Sequence, residues 1–161
     1  MAVRTFLLLG SNMGDRRQLL QAAQTRIHLL AGPLVAQSAL YETAAWGKTD
    51  QPSFLNQAIA IDTKLEPHLL LSTLLAIEQS LGRVRTTQWE PRTIDIDILF
   101  YGDAVVQEPH LVIPHASMAD RRFVLVPLNE IAGDFRHPVS GKSVREMLEE
   151  CKDPLEVKRA G

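Results

Sequence analysis

Two aspartates stand one residue apart inside an apolar run of the segment RVRTTQWEPRTIDIDILFYG, residues 83–102. The β-branched and apolar residues around Asp95 and Asp97 predict a buried β-strand that ends at Gly102. Since strand side chains alternate between the two faces, both carboxylates project from one face, with their Cα atoms about 6.5–7 Å apart. Two such carboxylates repel each other unless a cation lies near them. Mg²⁺ suits the pair, because it binds through one or two carboxylates together with substrate phosphates and water.

Three arginines precede this strand, and their planar guanidinium groups suit phosphate oxygens. They are Arg83, Arg85 and Arg92. An Arg-x-Arg pair after a helix is by itself typical of a solvated surface, and the two aspartates could equally form salt bridges with Arg92 or Arg121. Three arginines followed by Asp-x-Asp are a more specific arrangement. Carboxylates, a metal and guanidinium groups together predict a polyphosphate site.

Other nucleotide-binding motifs fail at the positions that define them. The sequences GKT (47–49) and GKS (141–143) resemble the end of a P-loop, but Glu42 and Arg136 stand where that motif requires its first glycine. The sequence GSNMG (10–14) lacks the spacing of a dinucleotide-binding turn. We interpret it as a strand-to-helix turn, with a backbone contribution to a pocket as the alternative.

Aromatic and amide side chains elsewhere could bind a flat ring. Trp89, Phe54 and Phe123 could stack on a heterocycle, and Asn56 offers a paired donor and acceptor to its edge. Each of these residues alone is more often a core residue. His115, in VIPHASM, is a further candidate, with a histidine in a surface turn as the alternative.

The elements that must position these residues alternate between strand and helix. Short apolar runs predict the strands, and apolar residues at helical spacing predict two helices. Asp15 caps the first helix, and the second has Pro67 in its first turn and Gly82 after its end. The predicted order is a strand at 3–10, a helix from Asp15 to Gly32-Pro33, strands at 34–43 and 53–65, a helix at 66–82 and the aspartate-bearing strand.

This β-α-β-β-α-β order predicts an α/β (α+β) ferredoxin-like sandwich, in which two helices cover one face of a sheet. The C-terminal part adds strand and helix elements: RRFVLVPLNEIA (121–132), and a short helix at SVREMLEEC (143–151) with Ser143 as its cap and Glu146 three residues later. With 161 residues, 45% of them hydrophobic and 22% charged, the chain is typical of a single globular domain, 1–161.

Charge and cysteine content narrow the classes of partner. The net charge of −2 gives no global attraction to nucleic acid or to an anionic membrane, so we expect neither as a partner. The single cysteine, Cys151, excludes an internal disulfide and a cysteine-based metal cage. The first apolar run is too short for a signal peptide, and no stretch approaches the ~20 apolar residues of a membrane span. We expect a cytoplasmic monomer whose partners are small molecules.

Four segments carry a resemblance to a known family. In chain order they are LGSN, DQPSFLNQAI, RVRTTQWEPRTIDIDILFYG and VIPHASMADRRFVLVPL. Together they resemble the 6-hydroxymethyl-7,8-dihydropterin pyrophosphokinases of folate synthesis, from residue 5 to about residue 150, and PRTIDIDIL is the most specific part. The resemblance implies a ferredoxin-like fold and transfer of pyrophosphate from ATP to the hydroxymethyl group of 6-hydroxymethyl-7,8-dihydropterin, with release of AMP. It also implies two Mg²⁺ ions bound with ATP.

The resemblance also implies a role for individual residues. Asp95 and Asp97 are then the ligands of the two Mg²⁺ ions, and Arg83 and Arg92 are the catalytic arginines. The implied pterin-binding residues are Thr43, Phe54, Asn56, Trp89 and Phe123, with Asn56 bonded to the ring and Phe123 stacked on it. The implied ATP-binding residues are Glu78, Arg85, Trp89, Arg92, Ile98, His115 and Arg121.

Several positions depart from the family pattern. Gln88 and Glu90 flank Trp89 where the family has a basic and a small residue, and the loop is shorter by one residue. Glu90 brings a negative charge towards an incoming triphosphate. Residues 44–46 (Ala-Ala-Trp) replace a proline-rich wall of the pterin pocket. The remaining departures lack polar groups that some members use for ATP: His110, Val112 and Ala116. Since no metal ligand or catalytic arginine is lost, we expect activity.

Two alternative functions remain open on the residues alone. A nucleotidyltransferase uses similar metal chemistry but attacks the α-phosphorus, and its Gly-Ser motif lies about ten residues from its aspartates, whereas Ser11 and Asp95 are far apart in this chain. A ferredoxin-like module that binds a ligand without catalysis is the second alternative. Asp95, Asp97, Arg83 and Arg92 favour an enzyme over such a module.

Overall fold

The computed structural model describes residues 1–12, 14–43, 53–82 and 94–160. Several residues singled out above lie outside the described residues: Arg83, Arg85, Gln88, Trp89, Glu90, Arg92 and residues 44–46. In chain order the elements are β1 (Val3–Ser11), α1 (Arg16–Leu30), β2 (Leu34–Gln37), β3 (Tyr41–Thr43), β4 (Phe54–Thr63), α2 (Pro67–Ser80), β5 (Asp95–Tyr101), β6 (Val106–Glu108), β7 (Leu111–Ile113), a 3₁₀ turn (Met118–Asp120), α3 (Arg122–Ala132), α4 (Val144–Glu150) and β8 (Val157–Arg159).

The main sheet has the strand order β5-β1-β4-β3-β8, and β2 also pairs with β4. Each of these pairings is antiparallel. Helix α1 connects β1 to β2, and α2 connects β4 to β5. The predicted ferredoxin-like arrangement is therefore confirmed. The hairpin of β6 and β7 is an addition that the sequence pattern did not predict.

The strand predicted at 34–43 is wrong in one respect, because it is two short strands. Gln37 pairs with Ile59 and Tyr41 pairs with Asn56. The segment from Gln37 to Tyr41 therefore advances by four residues (41 − 37), while β4 advances by three (59 − 56). The extra residue interrupts the ladder. Ser38 bridges the break, since its N–H donates to the Ala58 carbonyl at 2.8 Å and its Oγ accepts from the Ala58 N–H at 3.0 Å.

Helices α1, α2 and α4 begin at the residues that the sequence predicts, whereas the helical state of α3 was not predicted. The Asp15 carboxylate accepts a hydrogen bond from the Gln18 N–H at 3.1 Å, and Pro67 is the first residue of α2. Ser143 and Glu146 form a reciprocal capping box at the start of α4. In the part of the chain that the structure describes, no helix combines the length and the apolar character that a membrane span requires.

Two apolar cores cover the two faces of the sheet. The first lies under α1 and α2 and includes Leu9, Ile59 and Ile77. The second lies under α3 and α4 and includes Leu8 and Val124. The prediction of helices on one face is thus incomplete, since the C-terminal helices cover the other face.

Strand β5 contributes to both cores because its alternation changes at a bulge. Ile94, Ile96 and Ile98 pack in the first core, as period two requires. Leu99 and Phe100 both pack in the second core. The register explains the change, since Leu7 pairs with Ile98 and Phe6 with Phe100, which leaves Leu99 as an extra residue. Asp95 and Asp97 precede the bulge and lie on the face that α3 covers.

Candidate functional site

A cavity of about 360 Å³ lies on the α3 side of the sheet. Its walls come from four strands, from the turn before α3, from α3 itself and from the segment before β8. The lining residues are Leu8, Gly10, Thr43, Phe54, Asn56, Asp95, Asp97, His115, Ser117, Arg121, Phe123, Val124 and Leu155.

The cavity brings together site residues that the sequence predicted from distant parts of the chain. These are Thr43, Phe54, Asn56, Asp95, Asp97, His115, Arg121 and Phe123. The two carboxylates and the aromatic and amide side chains therefore share one space. The roles assigned to these residues remain predictions.

The pairing of β1 with its two neighbours builds the floor of the cavity. Gly10 pairs with Asp95 on one side and with Asn56 on the other. A Cβ atom at Gly10 would lie 2.7 Å from Asn56 Oδ1, so only glycine leaves room for that amide. The sequence prediction ended the strand at Gly10, whereas β1 continues to Ser11. The interpretation of GSNMG as the strand-to-helix connection holds after Ser11, since β1 ends there and α1 begins at Arg16, while Gly10 itself lines the cavity, as the alternative interpretation had it.

Two buried polar atoms of the cavity have no hydrogen-bond partner among the described residues. They are Thr43 Oγ1 and Asn56 Nδ2. Both side chains are 3% exposed, so bulk water does not readily replace a missing partner. Leaving a buried polar group unpaired costs about 1–3 kcal/mol. Such atoms at the floor of a cavity indicate a ligand with hydrogen-bonding atoms along its edge.

Two aromatic residues give this part of the cavity an apolar character. Phe54 opens β4 and pairs with Thr43 across the ladder, while Phe123 is the second residue of α3. Both rings line the cavity that holds the Asn56 amide. Aromatic surfaces beside a few polar atoms suit a flat heterocyclic ligand.

The carboxylate pair of the cavity, Asp95 and Asp97, lies on strand β5. Asp95 is half-buried and Asp97 is exposed, and both line the cavity opposite Gly10 and Leu8 of β1. Among the described residues there is no group of three or more acidic, histidine or cysteine side chains that could enclose a metal ion. A pair of carboxylates fits Mg²⁺, which takes its other ligands from phosphate oxygens and water. The donor set is therefore compatible with the predicted metal.

His115 and Arg121 provide hydrogen-bond donors on the same cavity wall. The His115 Nδ1 atom accepts a hydrogen bond from the Ser117 N–H at 3.2 Å. In the neutral ring the proton therefore lies on Nε2, which can donate to an oxygen atom. Ser117 was not predicted, since its contribution here is to orient a neighbouring histidine.

Glu78 and Ile98 lie outside the cavity lining. Glu78 is 3% exposed, and its Oε2 accepts a hydrogen bond from the Ile96 N–H at 2.6 Å. This contact holds β5 at the residue between Asp95 and Asp97. The Ile98 side chain is buried in the first core. The assignment of Glu78 and Ile98 to the nucleotide stays a prediction.

A polar cluster outside the cavity lies next to two of its residues. Arg16 Nη1 donates to the Ser53 carbonyl at 2.8 Å, to Ser53 Oγ at 3.1 Å and to Glu42 Oε1 at 3.4 Å. Ser53 Oγ also donates to Glu42. Hydrogen bonds from Ser53 and Arg16 hold the pKa of the Glu42 carboxyl below its usual range. Glu42 precedes Thr43 and Ser53 precedes Phe54, so the cluster fixes the strand ends that carry both residues.

Comparison with known proteins identifies the family. The fold and cavity define a ferredoxin-like α/β protein with a pocket for a small ligand beside a carboxylate pair. Residues 6–133 match the family model of 7,8-dihydro-6-hydroxymethylpterin-pyrophosphokinase (HPPK). The chain belongs to this family, and the resemblance predicted from the sequence is confirmed.

Individual relatives agree with the family match. The 2-amino-4-hydroxy-6-hydroxymethyldihydropteridine pyrophosphokinase of Methylorubrum extorquens is 50% identical over an alignment of 159 residues, and the match covers 97% of this chain and 98% of that protein. The protein of the same name from Pseudomonas aeruginosa is 43% identical over 152 residues, 94% of this chain and 93% of that one.

Solved structures confirm the fold. Plasmodium falciparum HPPK-DHPS A437G with SDX-DHP superposes with a TM-score of 0.78 at 18% identity, over 92% of this chain. The matched part is 45% of that chain, so the protein spans less than half the length of this solved relative. At this identity the likeness concerns the fold alone.

We predict that the Glu42 cluster contributes stability that depends on pH. Because the pKa of Glu42 is lowered on folding, its contribution is present above the ordinary value of 4.5 and is lost as pH falls through the lower value of the folded state. Glu42→Gln should lower the free energy of unfolding at pH 7 by less than about 1 kcal/mol, since the side chain is 43% exposed. Urea unfolding at pH 7 and pH 3 measures the effect.

The loss caused by Glu42→Gln should shrink towards zero at pH 3. Glu149→Gln, which changes an exposed glutamate of α4, is the matched control and should have little effect at either pH. An equal loss at both pH values would show that the charge of Glu42 contributes nothing.

Proposed function

We propose that this chain transfers the pyrophosphoryl group of ATP to the hydroxymethyl group of 6-hydroxymethyl-7,8-dihydropterin and releases AMP, a step of folate biosynthesis. One observation carries the proposal within the family: a single cavity joins the buried, unpartnered atoms of Thr43 and Asn56 to the carboxylates of Asp95 and Asp97. The first pair suits the edge of a pterin, and the second suits a triphosphate with its metal.

The pterin occupies the part of the cavity between β3, β4 and α3 in this proposal. Asn56 Nδ2 donates to a ring acceptor, and Thr43 Oγ1 exchanges a hydrogen bond with the neighbouring edge of the ring. Phe54 and Phe123 pack against the ring. Trp89, which lies outside the described residues, is assigned to the pterin and ATP on the basis of the family resemblance.

The triphosphate lies towards β5. Asp95 and Asp97 hold Mg²⁺, with two ions as the family resemblance implies, and bound Mg²⁺ neutralises charge on phosphate oxygens. His115 Nε2 and the Arg121 guanidinium donate hydrogen bonds to those oxygens. Arg83, Arg85 and Arg92, which lie outside the described residues, bind the phosphates in this proposal on the basis of the family resemblance. Glu78 and Ile98 are also assigned to the nucleotide on the basis of the family resemblance. Ile98 belongs to β5, and Glu78 holds the backbone of that strand.

The reaction is an in-line attack of the pterin hydroxyl on the β-phosphorus of ATP. The bond to the pterin oxygen forms as the bond to the oxygen of AMP breaks. Arg83 and Arg92 stabilise charge on the transferred group, and the cavity residues hold hydroxyl and phosphorus in line. Catalysis depends mainly on positioning and electrostatics, which is the usual division of work in phosphoryl transfer.

The sequence supports further proposals about the state of the protein. A net charge of −2 gives no general attraction to nucleic acid or anionic membranes. We propose a single-domain cytoplasmic monomer, 1–161, whose partners are its small-molecule substrates.

Product analysis tests the proposed function. The purified chain is mixed with ATP, Mg²⁺ and the reduced hydroxymethylpterin, and we expect AMP and the pterin diphosphate in equal amounts. Release of pyrophosphate would instead support attack on the α-phosphorus, as in a nucleotidyltransferase. Binding of both substrates without turnover would support a binding module and contradict the proposal.

We predict that Asp95→Asn and Asp97→Asn each lower Mg²⁺-dependent turnover at least about 100-fold, because each removes a charged metal ligand from the phosphate site. The isosteric change should leave the thermal unfolding midpoint close to that of the parent. Asp103→Asn, in the exposed turn after β5, is the matched control and should retain turnover. Near-native rates in either site variant would overturn the metal assignment.

We predict that Gly10→Ala weakens pterin binding about 10-fold while affinity for an ATP analogue stays within about twofold. The new Cβ atom would lie 2.7 Å from Asn56 Oδ1, so the amide must move away from its place at the cavity floor. Isothermal titration with each ligand measures both affinities. Val139→Ala, at a 66% exposed position in the turn before α4, is the control and should bind both ligands as the parent does. Unchanged pterin binding would show that Asn56 does not contact the ring.

A further inference from the structure

Residues 151–160, CKDPLEVKRA, form an extended arm after α4 that ends in β8. Its residues alternate in exposure along the first eight positions. The half-buried ones are Cys151, Asp153, Leu155 and Val157, and the exposed ones are Lys152, Pro154, Glu156 and Lys158. This period of two is that of an extended chain with one side against the protein. The arm also lies beyond residue 133, where the match to the family model ends.

The first anchor of the arm is at the start of α3. Asp153 Oδ2 accepts a hydrogen bond from the Arg122 N–H at 3.1 Å, and Arg122 is the first residue of that helix. Asp153 Oδ1 accepts from the Leu155 N–H at 3.0 Å. The N–H groups of a first helical turn lack partners within the helix, so a carboxylate there is stabilising. One side chain thus joins the arm to α3 and fixes the turn that leads to Leu155.

The second anchor is at the edge of the sheet. Strand β8 pairs with β3, and Val157 lies opposite Thr43. The Ala160 N–H extends this contact by donating to the Leu40 carbonyl at 2.8 Å. The anchors therefore hold the arm on both sides of Leu155.

Leu155 lies between two residues of the candidate site as a result. Phe123 follows Arg122, which Asp153 contacts, and Thr43 is the partner of Val157. Leu155 itself lines the cavity together with Phe123 and Thr43. The apolar side chain of the arm is thus positioned at the part of the cavity that the proposed function gives to the pterin.

We infer that Leu155 is a specificity-determining residue that forms one wall of the pterin pocket, and that Asp153 is the positioning residue that holds it there. The inference rests on the proposed function. Leucine offers no hydrogen bond, so its contribution is contact with the ring and exclusion of water from the buried polar atoms of Thr43 and Asn56. The triphosphate is bound by charged and polar groups, and Leu155 should not affect it.

The test measures two affinities by titration without turnover, one for the pterin in the presence of a non-hydrolysable ATP analogue with Mg²⁺, and one for the analogue alone. Leu155→Ala should raise the pterin Kd about 5- to 20-fold, since it removes apolar contact from one side of the ring. The analogue Kd should stay within about twofold. Leu155→Met, which nearly conserves volume, should restore most of the pterin affinity.

Glu156→Ala is the matched control, because Glu156 is the exposed neighbour of Leu155 in the same arm. It should bind both ligands as the parent does. A merely structural role of the arm predicts a different pattern, in which Leu155→Ala lowers the unfolding midpoint and weakens both ligands by similar factors. That pattern would overturn the inference.

Asp153→Ala tests the positioning role. It should raise the pterin Kd in the parent but have little further effect in Leu155→Ala, because both changes act through one side chain. Fully additive effects would show that Asp153 acts independently of Leu155. If the parent chain itself fails to bind the pterin, the proposed function fails; if the parent binds and Leu155→Ala binds equally well, the inference about the arm fails and the proposed function stands.

Discussion

The position of β1 between β4 and β5 is the constraint on which the cavity depends. Its two antiparallel pairings set Gly10 between Asp95 and Asn56. The carboxylate on β5 and the amide on β4 are therefore separated by a residue of β1 that has no side chain. A slip of one residue in either pairing would turn every side chain of that strand to the opposite face. If β5 slipped in this way, its two aspartates would enter the apolar core under α1 and α2. Register and chemistry are therefore fixed by the same ladder.

The cores on the two faces supply the stability that the site residues do not. Unpartnered polar atoms at Thr43 and Asn56 lower the stability of the free protein. Alternate residues of the strands that carry the site, such as Leu55 of β4 and Ile96 of β5, are buried in the first core and stabilise the sheet. A strand that contributes both to the core and to a ligand site is expected to contain some residues that lower the stability of the protein.

Much of the fold could be predicted because its cues are local. Alternation and capping residues indicated the elements, and period two correctly placed Asp95 and Asp97 on one face up to the bulge at Leu99. The bulge at Leu99 and the break at Ser38 arise because two paired strands contribute unequal numbers of residues. The sequence of one strand alone does not show this difference. The reason for glycine at position 10 could not be predicted, because it lies in the Asn56 amide on a distant strand. Leu155 was missed because only the folded chain brings it beside Thr43 and Phe123.

The addition of β8 to β3 also has a consequence for the solubility of the folded protein. An open strand edge offers unpaired N–H and carbonyl groups to other chains and favours aggregation. On one side of the sheet β8 occupies the outer edge of β3, and on the other the Ile96 N–H of β5 is taken by the buried Glu78 carboxylate. The segment that adds Leu155 to the cavity thus also replaces β3 as the edge strand with β8, whose three residues include the exposed cations Lys158 and Arg159, and a short charged edge disfavours edge-to-edge association. A sequence change in the arm, residues 151–160, can therefore alter the tendency of the protein to self-associate as well as its affinity for a ligand.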